Sequence, residues 1–388
     1  MPTPKLRFKD ENGQDFPEYS RNFITKLCSI KNGNINAEDG SDKGSYRFFD
    51  RGIESVKFAD SYFLDKEAII YAGEGSSFLP KYYFGKFALH QRCYALYDFH
   101  NSIAVEYVYQ YLLTKNSHFI RYAVGSTVKS LRLGSFNTCE VIIPCLDEQH
   151  KIAEFLSTVD EKVEVLEKKL EALNSLKKVF MQKIFSQELR FKDDSGQDYP
   201  PFRDTTIGEE GYFYYGKSAP KWSLTDDATT PCVRYGELYT THKYQVKEIH
   251  SFTNIPVENL KLSKGGEVLI PRVGEEPLDF CKCAYLPFAN VAIGEMISVY
   301  NTNHNPLFIS YMFNATMKKE FAKRVEGGNV SNLYYYYLED IKISVPCLEE
   351  QHKIAEFLSA FDEKIEAVKR QVEAMKQVKK GLLQQMFV

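Results

Sequence analysis

The chain of 388 residues has a single tryptophan, and it lacks any apolar run approaching the roughly 18 residues that span a bilayer. A membrane protein is therefore not expected. Its first residues, Met-Pro-Thr-Pro-Lys-Leu-Arg, hold no apolar core of a signal peptide, so secretion is not expected either. Eight cysteines form no metal frame: Cys281 and Cys283 lie two apart, with no second pair at zinc spacing. Cys145 and Cys347, at equivalent points of a repeat, read as packed free thiols in a reducing cytoplasm. A P-loop is absent, as is any carboxylate–lysine cluster suited to a nuclease. Asn305-Pro306-Leu307-Phe308 approaches an adenine-methyltransferase signature. It lacks the second proline, and no glycine-rich strand–turn–helix for a methyl donor precedes it. Gly73-Glu74-Gly75, the nearest G-x-G, runs into Pro80 and not into a helix. A strong excess of one charge is missing too. The net charge is −3, with +2 over residues 17–143 and −2 over residues 200–345. Neither block is a basic glove, so any nucleic-acid contact rests on local clusters or is shared with a partner.

What the chain does have is a duplication. Pro144–Ser157 recurs at Pro346–Ser359, 202 positions later, with only Asp147 changed, to Glu349. A second echo, Leu6-Arg7-Phe8-Lys9-Asp10 with Gly13-Gln14-Asp15, returns at Leu189–Asp193 with Gly196-Gln197-Asp198, at an offset of 183. The unit is thus a lead, a variable block and a long helix, and the second block is longer by 19 residues. The divisions are a lead at 1–16, a block at 17–146, a helix at 147–188, the repeated lead at 189–199, a block at 200–348 and a helix at 349–388.

Both helices carry a heptad seam. In the first it is Ile152, Leu156, Val159, Val163, Leu166, Leu170 and Leu173; in the second, Ile354, Leu358, Phe361, Ile365, Val368, Val372 and Met375. Both patterns then slip together, to Leu176, Phe180 and Ile184 and to Val378, Leu382 and Met386, which reads as a local change of supercoil. Acidic pairs open each helix and Lys177-Lys178 and Lys379-Lys380 lie near the ends, as the helix dipole favours. Each helix is on the order of 55 Å long at roughly 1.5 Å per residue. Matching seams predict a self-complementary pair. His150 and His352, beside Glu and Lys in the first turns, read as facing solvent or a partner.

The two blocks share a layout of short strands and turns, with little common sequence. Ala68–Ala72 and Glu267–Pro271 are apolar strands. Phe87–Leu96 and Val291–Tyr300 follow, then helices near Val105–Leu113 and Phe308–Phe313. Turns come next at Gly125–Val128 and Gly327–Val330, then last strands at Cys139–Ile143 and Ile341–Val345. Tyr334-Tyr335-Tyr336-Tyr337 reads as strand residues alternating two rings in and two out.

Leu146-Asp147-Glu148-Gln149-His150-Lys151-Ile152-Ala153 and Leu348-Glu349-Glu350-Gln351-His352-Lys353-Ile354-Ala355 each follow a strand and a proline and head a heptad helix. In this the whole chain closely resembles the specificity subunit of type I restriction–modification enzymes. Gly216-Lys217-Ser218-Ala219-Pro220-Lys221-Trp222 and Val233–Leu238 look like that family's target-recognition domain. The first block departs at its opening, where Gly-Lys-x-x-Pro is absent, and keeps Tyr46–Asp50 and His90–Cys93. The resemblance implies an α+β fold: two pseudo-symmetric, β-rich target-recognition domains separated by two long antiparallel coiled-coil helices, with the heads at opposite ends.

It further implies no catalysis by this chain. Each domain would read one half of a bipartite target in double-stranded DNA. The helices would set the gap and dock two methylation subunits, which bind S-adenosylmethionine, and two restriction subunits would complete the complex. This chain itself would hold no cofactor and no metal. The DNA-contact candidates, chosen because Arg and Lys suit guanine edges and Gln suits adenine, are Lys43, Arg47, His90, Gln91 and Arg92, then Lys217, Lys221, Arg234 and Arg272. Two readings stay open beside this one: a two-headed coiled-coil scaffold that binds proteins, and a specificity subunit acting alone in DNA silencing. Because the lead repeats after the first helix, the N-terminal lead is expected beside the end of the second helix, near Phe387.

Overall fold

The structure, a computed structural model, describes residues 4–52, 56–328 and 330–387. The chain divides into two compact units, one of Met1–Lys168 with Lys369–Val388 and one of Lys169–Val368. Each unit therefore combines one variable block with parts of both long helices, Leu146–Phe185 and Leu348–Met386.

In the first unit, Ser29–Asn32, Cys93–Tyr97, Ala68–Ala72 and Lys81–Tyr83 form an antiparallel sheet in that order. A second sheet runs Lys57–Ala59, Tyr46–Phe49, Lys86–Leu89, Leu64–Asp65, with a parallel pair at its centre. Ser20–Phe23 pairs with Glu140–Ile143, the strand that leads into the first long helix. The second unit repeats this plan. Gly211–Tyr215, Ile297–Thr302, Glu267–Pro271 and Ala284–Leu286 make the antiparallel sheet. Ser251–Thr253, Thr230–Val233, Ala289–Ile293 and Leu262–Lys264 make the mixed one, again with a central parallel pair. Arg203–Thr206 pairs with Lys342–Val345. This is the α+β, β-rich architecture the sequence implies.

Several expectations need correction. Phe87–Leu96 is two strands broken by a turn at His90–Arg92, and Val291–Tyr300 is broken likewise at Gly294–Met296. Short helices at Asn116–Tyr122, Leu133–Asn137 and Lys318–Ala322 were not legible. The tyrosine run is a single 3-10 turn, Tyr335–Tyr337, and not a strand, so its rings fan around a helix axis. Of the expected turn at 327–330, Asn329 lies outside the described residues.

The heptad seam has no slip. None of its fourteen residues is exposed, and Ile152, Leu156, Val159, Ile354, Leu358, Ile365, Val368 and Val372 are buried. After Leu173 the inward position falls on Lys177, buried to 4%, and then on Phe180 and Ile184, while Leu176 points outward. Likewise Lys379 continues the second seam and Val378 faces out. The 4-3 spacing is unbroken, with one lysine per helix in an apolar register. Each lysine meets an aspartate. Lys379 pairs with Asp160 at 2.5 Å in the first unit, and Lys177 with Asp362 at 2.6 Å in the second. Lys376–Glu167 at 2.7 Å adds the direction: as one helix ascends the other descends, so the helices run antiparallel within the first unit. Phe180 against Phe357 and Phe361, at ring separations of 5.2 and 5.5 Å, gives the same sense in the second.

The repeated Glu-Gln at each helix head is structural. Glu148, Gln149, Glu350 and Gln351 are all fully buried. Arg7 from the lead grips Glu148 through Nε and Nη2, both at 2.9 Å, and the Tyr19 hydroxyl donates at 2.9 Å. Arg190 grips Glu350 in the same bidentate way, at 2.8 and 2.6 Å. Gln149 accepts from the Ala104 N–H and donates to the Pro144 carbonyl, as Gln351 accepts from Asn305 and donates to Pro346. The glutamate of each head thus ties the lead to the helix, and the glutamine ties the helix to the block. The Leu6 N–H bonds the Gln385 carbonyl, and the Leu189 N–H bonds Lys183, its counterpart at the end of the first helix. Phe387 packs on Tyr107 and Tyr111 at 5.6 and 5.4 Å. The lead therefore sits beside the end of the second helix, as the repeat predicts. His150 and His352 are exposed.

Candidate nucleic-acid interface

The turn that joins the mixed sheet to the antiparallel sheet has the same backbone frame in both units. In the first, the His90 N–H bonds the Phe49 carbonyl, the Gly33 N–H bonds Cys93, and the Leu131 N–H bonds Gly73. In the second, Gly294 bonds Val233, Gly216 bonds Ile297, and Leu333 bonds Arg272. These bonds set His90-Gln91-Arg92 equivalent to Gly294-Glu295-Met296, Asp50 to Arg234, and Gly73 to Arg272. Gly33 and Gly216 are equivalent as well, and both are required. A Cβ at Gly33 would lie 2.0 Å from the Leu89 oxygen, and one at Gly216 2.5 Å from the Ile293 oxygen. The first block thus has a counterpart of the Gly-Lys opening, in Gly33-Asn34, which sequence comparison misses because only the glycine is shared.

On this common frame the side chains differ. In the first unit, Glu74 takes Arg51 at 2.8 Å and Arg92 at 2.7 Å, and these guanidinium groups, Arg51 foremost, hold its carboxyl below the usual range. Lys57 pairs with Asp50 at 2.7 Å. Arg92 and Gln91 are exposed at the turn. Arg47 is half-buried on the central strand, its guanidinium 5.4 Å over the Phe49 ring, with Nη1 buried and without a partner. Lys81 lies near it, and burial and then the Arg47 charge push the Lys81 ammonium down.

His90 is not on the accessible rim. It is 3% exposed, its Nδ1 accepts from the Arg92 N–H at 3.1 Å, and burial pushes its pKa down, so the neutral ring serves the turn. Lys43 is exposed on the turn that Ser41 and Phe58 close, and among the described residues no ion pair joins it to the arginine cluster.

In the second unit the cation comes from the neighbouring strand end. Where the first unit has Gly73 and Arg92, the second has Arg272 and Met296. The Arg272 guanidinium lies 4.8 Å over Tyr215, Nη2 meets Met296 Sδ at 3.1 Å, and Nε is buried with no partner. Tyr215 packs at 4.6 Å on Tyr335, which stacks at 5.4 Å and 2° on Phe213. An aromatic ladder thus fixes the plane of the guanidinium. Arg234 caps the short helix Tyr235–Thr240, its N–H donating to Glu237 at 2.6 Å. Gly294 crosses beside it: a Cβ there would lie 3.5 Å from Arg234 Cα and 4.0 Å from the Ser218 oxygen. Arg234, Arg272 and the loop bearing Lys217 are therefore brought to one turn, and Lys217 and Lys221 are exposed on that loop. Arg51, Glu74 and the Tyr215–Tyr335 platform were missed, because no local motif marks residues joined only by the fold. Among the described residues no group of three or more His, Cys, Asp or Glu could hold a metal ion, and no helix is long and apolar enough to cross a membrane.

Comparison with known proteins returns one family. The model of the type I restriction modification DNA specificity domain matches residues 19–175 and again 215–377. The EcoDI specificity subunit of Escherichia coli is 32% identical over 163 residues, 42% of this chain and 36% of that subunit, so the chain spans about a third of this relative's length. The MjaVIII specificity subunit of Methanocaldococcus jannaschii is 22% identical over 298 residues, 71% of this chain and 68% of that one. A crystal structure of a type I restriction-modification S subunit from M. genitalium superposes with a TM-score of 0.68 at 18% identity. That match covers 100% of this chain and 99% of the other, and it establishes likeness of fold.

Proposed function

The chain belongs to the family of type I restriction modification DNA specificity domains, carrying two copies, and from this we propose that it is the sequence-reading subunit of a type I restriction–modification complex. Each unit reads one half of a bipartite target in double-stranded DNA, and the long helices set the gap between halves. The observation that carries this reading is the shared turn. An identical backbone frame presents Gln91 and Arg92 in one unit and Arg234 and Arg272 in the other. A common scaffold with different polar edges is what two readers of different half-sites require, because arginine and glutamine discriminate base edges by bidentate hydrogen bonds.

The chain performs no chemistry itself. Two methylation subunits, which bind S-adenosylmethionine, and two restriction subunits assemble on it in the cytoplasm. Its net charge of −3 fits a division of labour, in which partners close on the duplex and supply phosphate contacts while this chain supplies base contacts. Selection from a pool of random duplexes by the assembled complex tests the reading. A split motif with a fixed gap is expected. A pool that stays random while proteins still assemble on the chain would favour a scaffold.

A further inference from the structure

The only tryptophan of the chain is 72% exposed, in a molecule that leaves few of its large aromatics exposed. Trp222 is the middle residue of a short turn, Lys221–Ser223, and the loop under it is rigidly held. Ser223 is fully buried, with its Oγ 2.7 Å from Thr253 Oγ1, and the Asn254 N–H donates to its carbonyl at 3.0 Å. Ala219 is buried to 3%, and Ser218 and Ala219 take left-handed conformations, φ 66° and 57°. Non-glycine residues adopt that region at a cost, which the Lys217 N–H bond to Ile293 and the Glu295 N–H bond to Ser218 help offset. Strain and anchoring together display one indole to solvent, on a loop that also carries the exposed Lys217 and, next in sequence to the indole, Lys221. The nearest carboxylates in sequence, Asp226 and Asp227, lie on the following turn, where the Thr225 side chain holds Asp227. The loop is continuous with the candidate interface, since Ser218 crosses Gly294 beside Arg234.

We propose that Trp222 is a DNA wedge of the second unit: its indole stacks on a base step of the half-site duplex while Lys217 and Lys221 contact the flanking phosphates. The inference rests on the proposed function and adds a contact residue that acts by stacking, not by reading a base edge. An exposed planar ring on a loop that also bears two exposed cations matches a polyanion whose interior is a pile of planar rings. Apolar wedges inserted between base steps and aromatic platforms under bases are both established modes of nucleic-acid contact.

Because Trp222 is the sole tryptophan, its emission reports on this site alone. The full chain is titrated with a dye-labelled duplex carrying the motif methylated in cells that express it, and anisotropy and tryptophan emission are followed together. With methylation subunits added, fluorotryptophan incorporated only in this chain gives the same readout by fluorine NMR. The expected result is a change of indole signal that saturates with the anisotropy. W222A should weaken binding roughly tenfold, the size of one lost base stack, and W222F should recover most of that loss. Thermal melting of W222A should stay close to the parent, as the side chain is 72% exposed. Duplex binding with an unchanged indole signal and parental affinity in W222A would overturn the wedge and leave the proposed function intact. A signal that responds to the methylation subunits without DNA would assign Trp222 to a protein contact and overturn the wedge as well. No anisotropy change with or without those subunits would refute the proposed function, and the wedge with it.

Discussion

Lys177 Nζ lies 2.6 Å from the Asp362 carboxylate, at a seam position of the paired helices, and beside the neighbouring rings of Tyr244 at 3.8 Å and Tyr311 at 4.8 Å. The Tyr311 hydroxyl donates to the same carboxylate at 2.5 Å. A buried ion pair in an apolar seam contributes little net stability, because desolvation offsets the Coulomb attraction. Breaking it from one side leaves a charge stranded. Its best-attested use is to fix register, since only one alignment of the helices lets the charges meet. The Lys379–Asp160 pair plays the same part in the first unit, with Gln110 donating to Asp160 at 2.8 Å in the place Tyr311 holds in the second.

Lys177→Met should therefore destabilise the second unit by roughly 3–5 kcal/mol, whereas the double change Lys177→Met with Asp362→Leu should be near neutral or stabilising. Urea denaturation of the three proteins checks this. Equal losses in single and double variants would deny the pair its cost.

Stability should also depend on pH through Lys177. Burial lowers its pKa to about 8, with Asp362 opposing. The unfolded chain binds this proton more tightly, near the ordinary lysine value of about 10.4. The lysine contribution to stability should thus rise with pH from about 8 to 10 and add no slope below 8. Comparison of denaturation midpoints for the parent and K177M across that window isolates it. Parallel curves would show that Lys177 does not titrate as its burial implies.

The clamp at the helix heads makes a second test. Glu350 is fully buried, and the Arg190 guanidinium is its bidentate partner. Glu350→Gln keeps the shape but strands Arg190, so a loss of roughly 3 kcal/mol is expected, with a similar loss for Glu148→Gln. Because these carboxylates tie the lead to the helix, the leads should become protease-sensitive first, read by limited proteolysis. Parental melting curves in both variants would make the repeated Glu-Gln decorative.

Within the candidate interface the residues should separate by position. Arg92→Ala and Arg272→Ala should each weaken duplex binding by roughly 1–3 kcal/mol and relax one motif position. Lys43→Ala should weaken binding evenly across sequences, as a phosphate contact does. His90→Ala should act through folding, since the ring is buried beneath the turn. A change of motif without loss of stability in the His90 variant would reverse that assignment.

The duplication, both long helices and the paired layout of the blocks were legible because apolar spacing and repeated words survive in sequence. What was not legible is instructive. The sequence reads as a slip after Leu173 because Lys177 counts as polar in a pattern of apolar positions, yet its charge is compensated by Asp362, 185 residues away. The tyrosine run passed for a strand because aromatic residues favour strands, whereas here a 3-10 turn places Tyr335 under Arg272's platform. His90 reads as a surface residue because it opens the polar run His90-Gln91-Arg92, and nothing in that run marks burial. Gly33 matched Gly216 only in its backbone, where close approach of a neighbouring strand, and not a motif, demands glycine.

The central claim is that the two blocks are independent readers of one split site, and an exchange of blocks tests it most directly. Residues 17–143 are replaced by the corresponding block of another family member, and the methylated motif is sequenced genome-wide in cells that supply the methylation subunits. The account predicts that one half of the motif changes while the other half and the gap stay as they were. A motif altered in both halves, or one that does not change at all, would contradict it.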